Sequence, residues 1–333
     1  WSSDVCSSDL KIGLGQWKPV LDYNEKEPRD GYDLHTTLNI EIQDLAHHSL
    51  LRQLEFYEAE HGSVVVMETK TGEIKAISNL GRTSEGTYYE KLNYAVGESH
   101  EPGSTFKLMA MVRALEDKVI DTSDVIDTKN GILSFYGRKV RDSKKGGYGK
   151  ISAARAFEVS SNTALVQIIN DNYQDKPEKF VEGLFDMKIN TPLGLPILGE
   201  GVPKFTHPND KVNWDGLDLP WMAFGYGISL TPLQTLTFYN AIANNGVMVK
   251  PRFIKEVKQF DQVVEKFDTE IISSSICSQE TIDKVKNMMK NVVEKEHGTA
   301  HNIYSEDFSM AGKTGTCQTE YWKSEGLYIS SFA

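Results

Sequence analysis

The stretch Glu101-Pro102-Gly103-Ser104-Thr105-Phe106-Lys107 decides the fold. Directly behind it runs Leu108-Met109-Ala110-Met111-Val112-Arg113-Ala114-Leu115, apolar almost all round. A helix that is apolar on every side is a buried one. Pro102 and Gly103 punctuate its start. Ser104 is therefore expected at the N-terminus of a central helix. Lys107 is expected one turn along the same face, within reach of the hydroxyl. A serine hydroxyl is a weak nucleophile and needs a neighbouring base. Lysine can be that base only where burial or another cation lowers its pKa. The N–H groups at a helix start suit an oxyanion forming at Ser104.

A lone S-x-x-K is a weak signal. A second copy, Ser8-Asp9-Leu10-Lys11, has no apolar helix behind it. Two further motifs follow in order. Ser160-Ser161-Asn162 is the only S-x-N in the chain and falls between two helical stretches. Its hydroxyl and amide can bridge a lysine and a substrate amide. The bland alternative is a helix cap, because Ser and Asn favour helix starts. Lys313-Thr314-Gly315-Thr316 lies in a strand-like run after Gly312. The lysine offers a charge beside Lys107 and for a substrate carboxylate. The threonine hydroxyls can bond that carboxylate, and the glycine lets substrate backbone approach the strand. Lys70-Thr71-Gly72 repeats the text in a hairpin turn, where glycine is expected for its backbone freedom. A nucleotide-binding loop at Gly312-Lys313-Thr314 would need glycine at position 307, which is Asp, and an apolar helix after it.

The 333 residues are long enough for one large core or two domains. Hydrophobic residues make up 39% and charged residues 25%, a globular composition. The net charge is −11, with 36 basic against 47 acidic residues, which argues against nucleic-acid binding. Cys6, Cys277 and Cys317 form neither a disulfide framework nor a zinc pattern. The histidines include no H-E-x-x-H, and no metal site is expected. No apolar run is long enough to span a membrane. Ser-Ser-Asp occurs twice within the first ten residues, which lack the pattern of a signal peptide and read as a non-native scar.

Residues 11–33 are polar. Leu34 to Leu38 is strand-like, and Asn39 is placed to cap a helix running to about His61, with Ile42, Leu45, Ala46, Leu50, Leu54 and Tyr57 on its apolar face. Ser63–Glu68 and Glu73–Ile77 read as a hairpin, and residues 80–100 as a loop. Residues 132–140 suggest a short hairpin. Residues 151–160, 163–171 and 177–187 read as helices, and 188–220 as a long irregular insertion. Thr231-Pro232-Leu233-Gln234 is a capping box opening a helix to about Asn244. A further helix is expected over 278–296. Phe308–Cys317 and Gly326–Ala333 look like paired strands. The pattern predicts an α+β fold, an antiparallel sheet covered by helices with an all-helical subregion.

Taken together, Ser104 with Lys107, Ser160 with Asn162, and Lys313-Thr314-Gly315 resemble the signature of penicillin-binding proteins and serine β-lactamases. The wider text resembles class B penicillin-binding proteins of the cell-division type. The likeness extends to Asp33-Leu34-His35-Thr36-Thr37-Leu38, Phe224-Gly225-Tyr226-Gly227 and Ala311-Gly312-Lys313-Thr314-Gly315-Thr316. It implies a penicillin-binding-protein transpeptidase fold over residues 34–333, with 11–33 the tail of a truncated N-terminal pedestal domain. It also implies a C-terminus that continues further than Ala333. The implied activity is a D,D-transpeptidase cross-linking peptidoglycan stem peptides in septal wall synthesis. Ser104 would form the acyl-enzyme, Lys107 would take its proton, and Ser160 would pass a proton to the leaving D-Ala. Asn162 would hold the substrate amide. Lys313, Thr314, Gly315 and Thr316 would line the carboxylate site, and the N–H groups of Ser104 and Thr316 the oxyanion hole. No cofactor is implied. The implied partners are stem peptides, β-lactams, division-complex proteins and a glycosyltransferase. The implied location is the outer face of a bacterial inner membrane, anchored through a segment this chain lacks. The alternatives are a serine β-lactamase, with Glu178, Glu182 or Glu200 as its base, and a non-catalytic β-lactam sensor or division scaffold.

Overall fold

The computed structural model describes residues 9–13, 16–19, 30–319 and 327–333, with side chains from residue 30 onward. Most of the expected scar lies outside them, as do Cys6 and Gly326. The chain divides into two compact units. The smaller comprises residues 1–35 and 256–266, the larger 36–255 and 267–333.

In the smaller unit, strands β1 (Asp9–Gly13) and β2 (Gln16–Pro19) pair antiparallel. Asp9, Leu10 and Lys11 of the second S-x-x-K copy thus lie in a strand, and its Ser8 lies outside the described residues. Strand β3 (Asp33–Thr36) follows, beginning one residue before and ending two residues before the expected strand.

The larger unit opens with helix α1 (Ile40–Tyr57), capped by Asn39, whose side chain accepts from the Ile42 N–H. The helix ends earlier than expected. Glu58 adopts a left-handed conformation there, and His61 and Gly62 already belong to strand β4 (His61–Met67). Its apolar face is also narrower. Ala46 and Leu54 are buried, but Leu45 and Tyr57 are 68% and 71% exposed. Strand β4 forms an antiparallel hairpin with β5 (Ile74–Arg82). The expected loop then contains a third strand, β6 (Tyr88–Glu90), and a short helix, α2 (Tyr94–Gly97).

Residues 103–106 form a 3-10 turn that leads into α3 (Lys107–Glu116). Every residue from Phe106 to Val112 is buried. Strand β7 (Val125–Asp127) comes next, then the antiparallel hairpin of β8 (Ile132–Phe135) and β9 (Arg138–Arg141), and strand β10 (Lys150–Ser152), which pairs back to β7. Helices α4 (Ala153–Glu158), α5 (Asn162–Tyr173) and α6 (Pro177–Asp186) make the helical subregion against α3.

The insertion at 188–220 is mostly irregular. Its exceptions are strand β11 (Lys204–Phe205), paired with β12 (Ile228–Ser229), and helix α7 (Asp218–Met222). Helix α8 (Pro232–Ala243) carries the complete capping box of Thr231 and Gln234. Strands β13 (Met248–Val249), β14 (Ile254–Gln259), β15 (Gln262–Lys266) and β16 (Ile271–Ser273) precede the long helix α9 (Gln279–Glu294), capped by Ser278; residues 256–266 of β14 and β15 belong to the smaller unit. The chain closes on β17 (Thr314–Thr319) and β18 (Leu327–Phe332), paired antiparallel with Thr316 opposite Ser330. Every strand pairing whose register is described runs antiparallel. The main core of the larger unit is built on α3, α4, α5, α6, α8 and α9 side chains, and a smaller cluster gathers Ile74, Val96 and Leu233.

Candidate active site

The first site residue is set by the turn before α3. Gly103 has φ +54°, a left-handed value suited to glycine. A Cβ on it would lie 2.8 Å from the Thr316 carbonyl oxygen. The same glycine donates its N–H to the Gly225 carbonyl at 3.1 Å. Lys107 opens α3 directly after this turn, three residues past Ser104. Buried Tyr239 pins the turn from below, its hydroxyl donating to the Thr105 carbonyl at 2.8 Å.

Lys107 is 0% exposed. Its Nζ lies 2.8 Å from the Ser160 carbonyl oxygen, 3.1 Å from Ser160 Oγ and 2.6 Å from Asn162 Oδ1. These described contacts join the lysine to the second motif rather than to the Ser104 hydroxyl. Burial holds its pKa well below the usual lysine value. The nearby Lys313 lowers it further, and Asp142 partly opposes them.

The second motif is shaped by the end of α4. Ser161 N–H donates to the Ala156 carbonyl at 2.8 Å, and Ser160 N–H to the Phe157 carbonyl at 3.0 Å. Those two bonds make a Schellman ending, whose left-handed position usually takes glycine. Here it takes Ser160, at φ +56°. The twist aims both oxygens of Ser160 at Lys107. Ser161, not Ser160, caps α5, accepting from the Ala164 N–H at 3.1 Å. The capping role that competed with chemistry in the sequence thus falls on the middle residue. Asp142 locks the segment: it accepts from Ser161 Oγ at 3.0 Å, Thr163 N at 3.0 Å and Thr163 Oγ1 at 2.8 Å. Asn162 Nδ2 donates to the Arg141 carbonyl at 2.8 Å, which turns its oxygen toward Lys107.

The third motif closes the site. Lys313 is also 0% exposed, and its Nζ donates to Ser160 Oγ at 2.8 Å and to the Thr314 carbonyl at 2.9 Å. Burial pushes its pKa down to about 7. A Cβ on Gly315 would meet Ser331 Oγ at 2.2 Å and Thr105 Cγ2 at 2.8 Å, so glycine lets β17 lie between β18 and the turn that carries Ser104. Thr314 Oγ1 sits 2.6 Å from Thr299 Oγ1, and Thr316 is exposed.

A neutral amine has two hydrogens and one lone pair. The Ser160 carbonyl and Asn162 Oδ1 only accept, so they take the hydrogens of a neutral Lys107. Its lone pair then faces hydroxyl oxygen. Lys313 donates to Ser160 Oγ, leaving the hydrogen of that hydroxyl free for Lys107. A base, a hydroxyl and a cation are thereby brought together, and the lone pair of Lys107 has to turn from Ser160 Oγ to take a proton from Ser104.

Ser104, Lys107, Ser160, Asn162 and Lys313 to Thr316 all converge on this region of the larger unit. Asp142, Thr299 and Tyr239 were not singled out in the sequence. No spacing marks them, because each acts across a long sequence separation. The duplicates at Lys70 and Lys11 take no part in the described contacts of the site.

This arrangement defines a serine–lysine class of site. Over residues 62–333 the sequence matches the penicillin binding protein transpeptidase domain, and the chain belongs to that family. It is similar to the penicillin-binding protein PbpB of Mycolicibacterium smegmatis, 29% identical over 312 residues, covering 89% of this chain and 46% of that protein. It is also similar to a probable peptidoglycan D,D-transpeptidase, PenA, of Neisseria meningitidis, 27% identical over 88% of this chain and 48% of that one. The chain thus spans about half the length of these curated relatives. Among solved structures, penicillin binding protein 3 of Mycobacterium tuberculosis in complex with ampicillin superposes with a TM-score of 0.78 at 26% identity, over 93% of this chain and 70% of that chain.

Proposed function

We propose that the protein containing this chain is a D,D-transpeptidase that cross-links peptidoglycan stem peptides, and that residues 34–333 are its transpeptidase domain. One observation carries the reading: two fully buried lysines meet at the single Ser160 hydroxyl, beneath the turn that holds Ser104. Burying two lysines is costly, and such expense concentrates at functional sites.

In the proposed reaction Ser104 Oγ attacks the carbonyl of the penultimate D-Ala, and neutral Lys107 takes its proton. The oxyanion forms between the N–H groups of Ser104 and Thr316. The C–N bond breaks as Ser160 passes a proton, resupplied from Lys107, to the departing amine of D-Ala. An amine on a second stem peptide then attacks the ester and frees Ser104. Asn162 holds the substrate amide, and Lys313, Thr314 and Thr316 hold the terminal carboxylate. A β-lactam is attacked in the same way, but its leaving nitrogen stays tethered. The setting is the outer face of the inner membrane during septum formation, with a glycosyltransferase and division proteins as partners. No helix among the described residues is long and apolar enough to cross a membrane.

The β-lactamase alternative needs a free carboxylate base. Glu200 is already taken, accepting from the backbone N–H groups of Leu193 and Leu195. The test is the lifetime of a labelled penicillin adduct, followed by a cross-linking assay. A stable adduct with peptide cross-linking is expected. Rapid loss of label would replace the reading with a β-lactamase, and stable label without cross-linking with a sensor.

A further inference from the structure

Glu158 is the last residue of α4, two positions before Ser160, and is 5% exposed. Its carboxylate is used on both sides. Oε1 accepts from Asn291 Nδ2 at 2.7 Å, and Oε2 meets His297 Nε2 at 2.7 Å. Burial raises its pKa, against the pull of Asn291, Arg155 and Lys295. The proposed chemistry gives this buried acid no task.

The chain leads from the pair straight to the third motif. Thr299 N–H donates to the Glu158 carbonyl at 3.4 Å, and Thr299 Oγ1 touches Thr314 Oγ1 at 2.6 Å. Between them, Gly298 lies so close to α9 that a Cβ would sit 2.1 Å from the Val292 carbonyl oxygen. The turn has no slack.

We infer that the Glu158–His297 pair is a positioning device that clamps the His297-Gly298-Thr299 turn onto the end of α4, so that Thr299 orients the Thr314 hydroxyl toward a substrate carboxylate. Two hydroxyls in contact place one hydrogen between them. If Thr299 donates, the Thr314 hydrogen is left for an acceptor with no hydrogen of its own. A hydroxyl that is itself accepting a hydrogen bond is the better donor. Glu158 and His297 touch no reacting atom. The inference rests on the proposed role of Thr314.

The test uses the full chain, a carboxylate-bearing fluorescent penicillin, and the variants Glu158→Gln, His297→Gln, Thr299→Val and His297→Gln/Thr299→Val. Each single change is expected to raise the half-saturating penicillin concentration about tenfold, the worth of one hydrogen bond to a charged group. The rate at saturation stays within about twofold, since no reacting atom is touched. The double variant should be no worse than Thr299→Val alone, because both changes break one chain of contacts. Additive losses, or losses confined to the saturated rate, would overturn the inference. So would unchanged half-saturation in His297→Gln, whose partly exposed side chain is the safer one to change if Glu158→Gln does not fold. Labelling that survives in Ser104→Ala would overturn the functional reading and this inference together. Additive losses in a chain that labels through Ser104 would overturn the inference alone.

Discussion

Lys107 and Lys313 aim their Nζ atoms at the same oxygen, Ser160 Oγ, from 3.1 Å and 2.8 Å. Both are fully buried, and both have depressed pKa values. One can then be a neutral base while the other carries charge for a carboxylate.

Lys107→Arg is expected to be as inactive as Lys107→Ala. Arginine keeps the charge but stays protonated, so it cannot accept the Ser104 proton. Losing a general base costs about 10²–10⁴ in rate. The same changes at Lys70, in the hairpin copy of the third motif, should leave penicillin labelling unchanged. Substantial labelling by the arginine variant would make Lys107 an electrostatic partner only.

The acid limb of the labelling rate reports the loss of a proton from Lys107. Lys313, after burial, is the second cause lowering that pKa, and Asp142 raises it. Removing a like charge makes protonated Lys107 easier to form. Lys313→Met should therefore move the limb to higher pH, by on the order of one unit. Asp142→Asn removes an opposite charge and should move it to lower pH. An unmoved limb in both variants would mean that burial alone sets the pKa.

Ser160 occupies a left-handed position at φ +56°. Alanine pays about 1 kcal/mol for that conformation and glycine does not. Ser160→Gly should melt higher than Ser160→Ala, while both label slowly for want of the hydroxyl. Equal melting temperatures would show that the backbone there is unstrained.

Gly225 and Gly227 both have positive φ, but their surroundings differ. A Cβ on Gly225 would come within 2.0 Å of the Gly103 carbonyl oxygen, and one on Gly227 meets open space. Gly227→Ala should cost only the backbone strain, about 1 kcal/mol. Gly225→Ala should cost more and also slow labelling, because it pushes on the turn that carries Ser104. A melt and a labelling rate on each variant decide it. Normal labelling by Gly225→Ala would show that the turn is not held from that side.

Local signals were legible in the text. The apolar run after Lys107, the Asn39 cap and the Thr231 capping box all became the elements they announced. Each is set by neighbours within a turn or two of helix. The end of α1 was not legible, because Glu58 takes a left-handed conformation that glycine was expected to supply. Nor was the assignment within Ser160-Ser161, since either serine suits a helix start.

The sequence by itself therefore determined which residue types the site would contain, and the buried helix that carries two of them. Tertiary structure decided their states. Ser160 lies 53 residues from Lys107 and 153 from Lys313, and only folding brings the three together. Removing water depresses both lysine pKa values, and a second cation nearby depresses that of Lys107 further. The grip of Asp142 on the second motif and of Glu158 on the third depends likewise on distant partners. Desolvation and charge proximity sum over everything that surrounds a group in space, and no stretch of sequence contains that sum.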